Sequence, residues 1–299
     1  MAKVCVLLSA YNGEQFIEEQ LASLTAQKGV EVEILVRDDG STDTTRTILE
    51  RWQRKGALSW YGGENLGWAM SFIHLLCHAP EADYYAFCDH DDIWLPEKLE
   101  EAVRMLEEMS GDKKLYFSNL NYYKDGKDEG LVKPAVLHYN IRTALVKCIT
   151  LGCTMVMNRA LQQSISQHPP KLVCAHDFWV YQVALAVGNV CYDPRSFILY
   201  RQHAHNQIGQ TRSWCEIWRS RLKRLKGLRH QHDREELGTQ LLECHGAEMD
   251  EETRTAVRKV ADYRRSLKKR LSLFADRRYT MGRRSNDVWL RLRILFGKL

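Results

Sequence analysis

The first hundred residues alternate short apolar runs with stretches of helical periodicity. Residues 4–8 (VCVLL) are continuously apolar, which predicts a buried strand. In residues 15–27, apolar side chains recur at i, i+4 and i+7, which predicts a helix with one apolar face. The same patterns predict strands at 32–36, 58–61 and 84–88 and helices at 44–54, 69–78 and 96–109. Such alternation favours right-handed crossovers and a mainly parallel sheet, so the sequence predicts an α/β fold.

The second hundred residues are less regular, and strand signals disappear after residue 211. The elements predicted before that point are strands at 115–119, 154–157, 190–192 and 196–200, a helix at 175–187 and a charged turn or loop at 123–131. Basic helical patterns follow at 214–230, 235–245 and 251–270, and a mixed apolar and basic run lies at 289–296. We therefore predict an α/β domain over residues 1–210 and a basic helical region over 211–299.

The composition is that of an ordinary folded protein, with 44% hydrophobic and 27% charged residues. No run of 18 apolar residues occurs, so we expect no transmembrane helix. The apolar part of the N-terminus is too short for a signal peptide. The nine cysteines lie mostly in apolar strings without a C-x-x-C pair, which is typical of free thiols in a reducing compartment. A cytoplasmic protein is the expectation.

The net charge of +5 hides a difference between the two regions. Residues 1–210 hold 20 Lys and Arg against 26 Asp and Glu, or −6, whereas residues 211–299 hold 23 against 12, or +11. Aromatic residues lie among the arginines of the basic region: Trp214, Trp218, Trp289 and Phe296. This pattern favours contact with an anionic membrane surface. The alternative is a helical extension that packs on the α/β domain or on a second subunit, and no motif supports nucleic-acid binding.

Polar residues follow three of the predicted strands at the point where each strand ends. They are residues 9–12 after the first strand, 38–41 after the second and 89–92 after the fourth. Ligands of parallel α/β sheets bind at the carboxyl ends of the strands. The sequence therefore predicts one binding site at this edge of the sheet.

The acidic run at 89–92 (DHDD) is the strongest candidate for a metal site. Its three carboxylates would repel one another unless a cation or solvent compensates. Oxygen ligands at this density suit Mg²⁺ or Mn²⁺, which also contact substrate phosphates. The alternative is a solvated acidic turn before the helix at 96–109. The metal reading is favoured because the run shares an edge with two other polar loops.

Asp39 follows the second strand, where an acidic residue of a nucleotide-binding unit is placed to contact a ribose hydroxyl or a base N–H. The same loop also reads as a tight turn with Thr42 or Asp43 as the cap of the next helix. Both readings can hold together.

Four motifs in order carry a family resemblance: SAYNG at 9–13, RDDGSTD at 37–43, NLG at 65–67 and DHDDIW at 89–94. Together they resemble the family 2 glycosyltransferases of the GT-A fold, in particular a bacterial rhamnosyltransferase-like branch. The resemblance covers about residues 3–210. It implies a nucleotide-binding half at 1–110 and an acceptor half at 111–210.

The resemblance also assigns site residues. Those implied for the nucleoside and donor are Ser9, Ala10, Tyr11, Asn12, Asp39, Asn65, Gly67, Asp89 and His90. Asp89 and Asp91 would form the D-x-D element, with Asp91 as the direct metal ligand and Asp89 shared with the ribose. His90 replaces the Gln that is frequent in this branch, so its imidazole could itself contact the donor.

Inverting glycosyl transfer needs a base that deprotonates the acceptor hydroxyl. Asp177 is the candidate, because it lies at the start of a predicted helix, where the helix dipole favours a carboxylate, and matches the family's acidic position. The alternative is that Asp177 only caps this helix. Its neighbours His176, Phe178 and Trp179 are predicted to line the acceptor and sugar pocket.

A second group of candidates lies at 200–206 (YRQHAHN), after a strand-like run. Arg201, His203 and His205 cluster there, which favours a phosphate or metal contact. The resemblance supports His203 as a third metal or diphosphate ligand and Asn206 as part of the same loop. Arg201 is assigned to the acceptor and sugar pocket.

These residues predict an inverting, metal-dependent glycosyltransferase that acts at the inner face of the cell membrane. The expected reaction moves L-rhamnose from dTDP-rhamnose onto a hydroxyl of a growing cell-surface polysaccharide or lipid-linked glycan. UDP-hexose or UDP-N-acetylhexosamine transfer is the alternative. A sugar-1-phosphate nucleotidyltransferase is disfavoured because residues 9–13 contain no Lys or Arg. A non-catalytic nucleotide- or carbohydrate-binding module and a homo-oligomeric assembly remain open.

Overall fold

The computed structural model describes residues 1–132, 134, 137–171, 173–202 and 234–299. The chain divides into two compact units. The first comprises Met1–His138 and Thr150–Gln202, and the second comprises Tyr139–Ile149 and His203–Leu299. The domain boundary predicted between 210 and 211 and the helix predicted at 214–230 lie outside the described residues.

The first unit is built on one mixed sheet flanked by helices. Its described strands are β1 (Lys3–Ala10), β2 (Glu31–Asp38), β3 (Ser59–Gly62), β4 (Tyr84–Asp89), β5 (Ile93–Trp94), β6 (Lys114–Lys124), β7 (Lys127–Leu131), β8 (Met155–Asn158) and β9 (Asn189–Arg201). Its described helices are α1 (Ile17–Thr25), α2 (Thr45–Arg54), α3 (Trp68–Cys77), α4 (Lys98–Glu108), α6 (Arg159–Gln167) and α7 (His176–Val187). A short 3₁₀ helix spans Gly152–Thr154.

The strand order of the sheet is β3-β2-β1-β4-β8-β6-β9-β5, and β7 pairs with β6. The neighbours β3, β2, β1 and β4 are all parallel. Strand β8 runs antiparallel to both β4 and β6, while β6 and β9 are parallel to each other. The predicted α/β fold is therefore confirmed, and most of the paired residues belong to parallel ladders.

The packing of the core in the first unit explains why the sequence of β1 is apolar at nearly every position. Val4 and Leu8 are both fully buried and belong to a cluster with Leu21 and Leu24 of α1 and Leu99 of α4. Strands covered on both faces need apolar side chains at every position. Each fully buried Leu or Val contributes about 1.5–3 kcal/mol relative to an exposed one.

One expectation for the first unit was wrong, and two predicted strands are joined into one. The segment 123–131 was expected to be a turn or loop, but it forms the hairpin of β6 and β7. Its turn is Asp125-Gly126, with φ angles of 49° and 78°, a dipeptide that suits two-residue hairpin turns. The strand signals at 190–192 and 196–200 belong to the single long strand β9.

The second unit is helical in its described part: α5 (Ile141–Ala144), α8 (Arg234–His245), α9 (Glu251–Ala261), α10 (Leu267–Ala275) and α11 (Arg284–Leu295). The Arg142 guanidinium donates to Glu252 at 3.0 Å and thereby joins α5 to α9. One helix was expected at 251–270, but two form. The Ser266 hydroxyl accepts from the Lys269 N–H at 3.2 Å and so starts α10 as a new helix. None of the helices in the described part has the length and apolar character to cross a membrane.

Candidate functional site

The carboxyl ends of β1, β2 and β4 meet at one edge of the sheet. The parallel register aligns Ser9 with Arg37 on one side and with Asp89 on the other. The three polar loops identified in the sequence therefore begin at neighbouring positions. The structure brings them together as the strand pattern predicts.

The loops after β1 and β2 are tied to each other by hydrogen bonds from backbone N–H groups. The Asp39 N–H donates to the Ala10 carbonyl at 2.8 Å, and the Asn12 N–H donates to the Ser41 hydroxyl at 2.9 Å. The Asn12 side chain in turn accepts from the Thr42 N–H at 2.9 Å. Asn12 adopts a φ of 47°, a left-handed conformation that Asn tolerates better than most residues. These bonds fix the backbone around the Asp39 carboxylate.

Asp39 forms a buried ion pair with Arg37, and only 2% of each residue is exposed. The same Asp39 oxygen accepts from the Leu66 N–H at 2.9 Å. The guanidinium also donates to the Ser71 hydroxyl at 3.0 Å and to the Glu64 carbonyl at 2.8 Å. A buried charge persists when it is paired and hydrogen-bonded in this way. Arg37 therefore holds the Asp39 carboxylate and the 64–66 loop in one arrangement.

The loop before α3 surrounds this edge with exposed apolar side chains. Gly67 has a φ of 75°, which favours glycine, and its N–H donates to the Asn65 side chain at 3.0 Å. The exposed fractions of Leu66 and Trp68 are 44% and 46%, and that of Tyr11 in the neighbouring loop is 47%. Large apolar side chains this exposed are uncommon, so they mark a surface that can receive a ligand.

The acidic loop after β4 crowds carboxylates into one place. One ligand atom each from Asp89, Asp92 and Cys153 lie within 4.8 Å of one another. Burial and the charges of Asp91 and Asp177 raise the pKa of Asp89 to about 7. Burial and the charges of Asp91 and Asp89 also raise the pKa of Asp92 well above its usual value. A bound cation would stabilise the ionised form of this cluster, so the donor set fits a hard divalent ion.

Within the cluster the inner and outer groups differ. Asp92 is fully buried, and its Oδ2 has no hydrogen-bond partner among the described residues. Burial raises the pKa of the Cys153 thiol well above its usual value, so Cys153 stays protonated and is a poor ligand for Mg²⁺ or Mn²⁺. Asp91 is half-buried and does not belong to the compact group. Asp89 is likewise half-buried, but it belongs to the compact group with Asp92 and Cys153.

Arg201 holds the acidic loop in place. Its backbone N–H donates to Asp92 at 3.3 Å, its Nε donates to the Asp91 carbonyl at 3.0 Å, and its guanidinium donates to Glu19 at 2.6 Å. The guanidinium also lies over the Phe16 ring, 5.0 Å from the centroid. Because these contacts occupy the Arg201 side chain within the protein, the proposed sugar pocket does not include Arg201.

His90 lies against the loop after β1. A Cβ at Gly13 would lie 2.5 Å from the Cδ2 atom of the half-buried imidazole, so only glycine admits the ring at this distance. The packing links the acidic loop to the loop after β1. His90, which stands where the resembling branch often has Gln, therefore packs the two loops against each other in this structure.

Asp177 lies in the first turn of α7, with 8% of its surface exposed. Its Oδ1 accepts from the Phe178 N–H at 2.8 Å, and the helix dipole favours the ionised carboxylate. The charge of Asp177 is one of the causes that raise the pKa of Asp89, so the two carboxylates are close enough to interact. Residues separated by 88 positions in the chain are therefore neighbours in the fold, as is also shown by the packing of His176 on Phe87 of β4.

The neighbours of Asp177 are buried. His176 lies in an aromatic cage, with ring centroids of Phe72 and Phe87 at 4.0 and 4.7 Å and that of Trp68 at 5.7 Å. Burial lowers the pKa of His176 to about 3, so the imidazole is neutral. A Cβ at Gly152 would lie 2.2 Å from its Nε2, so glycine is required beneath the ring.

Phe178 and Trp179 are 1% and 0% exposed, so neither offers a surface to a ligand in this structure. We therefore leave them out of the proposed site. The predicted ligand His203, together with His205 and Asn206, lies outside the described residues.

The sequence did not predict that Arg37, Ser71 and Trp68 take part in the site. It also did not predict that Cys153 lies beside Asp89 and Asp92. The one available signal was Arg37, a charged residue at the end of an otherwise apolar strand, which usually has a buried partner. Ser71 and Trp68 carry no signal of this kind, because their position depends on how α3 packs on the sheet.

Comparison with known proteins identifies the family. The sequence profile of Glycosyl transferase family 2 matches residues 5–167, which is more than half of the chain. The chain belongs to glycosyltransferase family 2. It is accordingly an enzyme that transfers glycosyl groups from nucleotide sugars, and the family resemblance of the four motifs is confirmed.

Individual relatives agree with this assignment. The chain is 30% identical over 248 residues to the dTDP-rhamnosyl transferase RfbG of Shigella flexneri, which covers 77% of this chain and 82% of that protein. The structure of S. aureus TarS 1–349 in complex with UDP-GlcNAc aligns with a TM-score of 0.56 at 19% identity, over 98% of this chain and 81% of that chain. The mannosyltransferase PcManGT of Pyrobaculum calidifontis, in complex with GDP-Man and Mn²⁺, aligns with a TM-score of 0.50 at 18% identity, over 100% and 88%. The two structures support the GT-A type fold.

Proposed function

We propose that this family 2 glycosyltransferase moves L-rhamnose from dTDP-rhamnose onto a hydroxyl of a cell-surface or lipid-linked glycan, with inversion and with a divalent ion. One observation carries the proposal: Asp39 and Asp89 lie at the ends of the two strands that flank β1, at one edge of the sheet, and Asp177, from a distant segment, lies close enough to Asp89 to interact with it. The choice of donor is supported by the Shigella relative, whose name describes dTDP-rhamnosyl transfer.

The nucleoside of the donor would lie against residues 9–12 and Asp39. A pyrimidine N–H or a ribose hydroxyl is a donor, and the Asp39 carboxylate is an acceptor whose orientation Arg37 and Leu66 fix. Preorganised acceptors of this kind bind without the entropic cost of ordering a side chain. Asn65 and Gly67 would line the same pocket.

The divalent ion would be Mg²⁺ or Mn²⁺, held by Asp89 and Asp91. The crowded carboxylates of the acidic loop fit a hard cation, and PcManGT contains Mn²⁺. When bound, the ion supplies positive charge that neutralises the leaving nucleoside diphosphate. Asp92 and Arg201 would position the loop from beneath. His203 stays a proposed third ligand.

Asp177 would accept the proton of the attacking acceptor hydroxyl. The hydroxyl oxygen forms the new bond to the anomeric carbon from the face opposite the leaving nucleoside diphosphate, so one displacement inverts the centre. Asp177 lies in the first turn of α7, where the helix dipole favours a negative charge. The buried, neutral His176 beneath it does not compete for the proton.

Trp68 would support the sugar between these two groups. It follows Leu66, whose N–H binds Asp39, by two residues, and its ring contacts that of His176, the residue before Asp177. An exposed indole at this position offers an apolar face to the C–H bonds and the methyl group of a deoxyhexose.

Replacing Trp68 with Ala is expected to lower kcat/KM for the donor about tenfold, which corresponds to about 1.4 kcal/mol. A free-energy loss of this size is expected when roughly 50 Å² of apolar contact with the sugar is removed, at about 25 cal/mol per Å². Steady-state kinetics with dTDP-rhamnose check it, and Trp68→Phe should retain most of the activity. An unchanged kcat/KM in Trp68→Ala would remove Trp68 from the sugar site.

A donor screen tests the proposed function. The purified protein is incubated with dTDP-rhamnose, UDP-glucose and UDP-GlcNAc in Mg²⁺, Mn²⁺ or EDTA, and release of nucleoside diphosphate is followed. We expect dTDP-rhamnose to be used fastest and EDTA to abolish turnover. Faster use of a UDP-sugar would establish the alternative of UDP-hexose or UDP-N-acetylhexosamine transfer, which the UDP-GlcNAc complex of TarS brings into consideration. If no donor is bound or consumed, the proposal is wrong.

A further inference from the structure

Helix α11 exposes an apolar stripe to solvent. Val288, Leu295 and Phe296 are 55%, 39% and 59% exposed, and Leu292 is half-buried. Their spacing of i, i+4, i+7 and i+8 places them on one face of the helix. The side of the helix that packs on its unit is already covered, because Trp289, Leu290 and Ile294 are buried. The outer stripe is therefore additional to the side chains that hold α11 on its unit.

Helix α10 repeats the arrangement. Leu267 and Leu271 are 65% and 45% exposed at i and i+4, and Phe274 is half-buried at i+7, while Leu273 is fully buried. Ten large apolar side chains are exposed in the described part of the chain, and five of them belong to α10, α11 and the C-cap of α11. Such a concentration marks an interaction surface rather than scattered exposure.

The charge around these helices is strongly positive. Residues 264–299 hold 12 Lys and Arg and only 2 Asp and Glu, a net charge of +10. The two carboxylates are engaged within the unit: Asp276 pairs with Lys259, and Asp287 accepts from the Thr280 hydroxyl. Four exposed basic residues make no ion pair among the described residues: Lys268, Arg277, Arg283 and Arg284. Their charge is available to an external anion.

We propose that the exposed faces of α10 and α11 dock on an anionic lipid bilayer. Apolar stripes with basic residues around them are the surface by which interfacial helices lie in the headgroup region. The apolar side chains enter the acyl boundary, and the Lys and Arg side chains contact the lipid phosphates. We call this surface the lipid-facing stripe; it consists of Leu267, Leu271, Val288, Leu292, Leu295 and Phe296.

Two other occupants fit the surface less well. A second copy of the chain would bring the exposed Lys268, Arg277, Arg283 and Arg284 of both copies together, and like charges disfavour such an interface. A nucleic acid would use the positive charge, but five of the six residues of the stripe are Leu or Val, which provide no stacking surface for bases, and Phe296 alone is not the aromatic platform of a single-strand binder. Of these three occupants, only a bilayer uses both the apolar stripe and the charge. Docking would bring the enzyme to a lipid-linked acceptor, although the docking itself does not depend on the proposed reaction.

Vesicle co-sedimentation with the full chain tests the proposal. We expect at least about tenfold stronger binding to vesicles of equal parts phosphatidylcholine and phosphatidylglycerol than to phosphatidylcholine alone, with loss of binding at high salt. The variant Leu271→Gln/Val288→Gln/Phe296→Gln keeps the charge and should lose most of this binding. Lys268→Gln/Arg283→Gln/Arg284→Gln should lose the preference for anionic vesicles.

Matched controls separate this surface from general charge. Lys55→Gln/Lys124→Gln/Lys127→Gln removes three exposed charges from the first unit and should bind vesicles like the unmodified chain. All variants should keep their thermal unfolding midpoint and their rate of donor hydrolysis in solution, so a failure here is distinct from a failure of the proposed reaction. The proposal is overturned if vesicle binding does not depend on lipid charge, or if binding is unchanged in both the apolar and the basic variant. It is also overturned if the apolar variant instead abolishes self-association, or if RNA oligonucleotides bind in preference to vesicles.

Discussion

Replacement of Asp177 by Asn is expected to lower kcat for glycosyl transfer by about 10²–10⁴-fold, the usual contribution of a general base. Asn has the same shape and its Oδ1 can still accept from the Phe178 N–H, so the start of α7 should remain intact. The amide cannot accept the proton of the acceptor hydroxyl. Initial rates of nucleoside diphosphate release measure the loss, and calorimetric titration with dTDP should show an unchanged affinity.

Asp250 provides the matched control for Asp177. It is also a carboxylate at a helix start, where it accepts from the Thr253 N–H at 2.6 Å, and it belongs to the second unit. Asp250→Asn should leave kcat unchanged. If Asp177→Asn only lowers the thermal midpoint and leaves kcat unchanged, Asp177 is a helix cap and not the base. Lost turnover with intact nucleotide binding would also exclude a non-catalytic binding module.

Replacement of Asp91 or Asp89 by Asn is expected to lower metal-dependent turnover by about 10²–10³-fold, because each variant removes one of the anionic oxygen ligands that Mg²⁺ and Mn²⁺ prefer. The binding of Mn²⁺ in the presence of dTDP, followed by electron paramagnetic resonance, should weaken in parallel. Glu97→Gln, an exposed carboxylate beyond the same loop, should change neither quantity. Full Mn²⁺ affinity in both Asp variants would contradict the assignment.

The metal-free protein gives a second measurement of the same cluster. The pKa of Asp89 is raised from 3.8 to about 7 by burial and by neighbouring carboxylates, so ionised Asp89 destabilises the folded state. An acid with a raised folded-state pKa costs stability that grows as pH rises from its unfolded to its folded value. In EDTA, Asp89→Asn should therefore unfold at a higher temperature than the unmodified chain at pH 8 and at a similar one at pH 4. A lower midpoint at pH 8 would show that the carboxylate has another stabilising partner.

The sequence by itself determined the architecture of the nucleotide-binding half. Continuous apolar runs identified β1 and β4, since strands covered on both faces need apolar side chains along their length. The largely apolar run at 32–36 identified β2, although it contains Glu33. Parallel strands end at a common edge, so Ser9, Asp39 and Asp89 could be assigned to one site without coordinates. The four ordered motifs then indicated the family. Asp177 was selected from its place at the start of a predicted helix and from the family resemblance, whereas nothing in the local pattern relates it to Asp89.

The tertiary structure alone decided which side chains meet and which face outward. Periodicity shows that residues share one face of a helix or strand, but packing of distant segments decides whether that face is covered. Packing of distant segments pairs Arg37 with Asp39. It also buries Phe178 and Trp179, which the sequence suggested as a pocket wall. It left Trp68 exposed beside the site, and it left the apolar stripe of α11 without a covering element in the described part of the chain. Each of these outcomes depends on contacts between residues far apart in sequence, which local patterns do not encode.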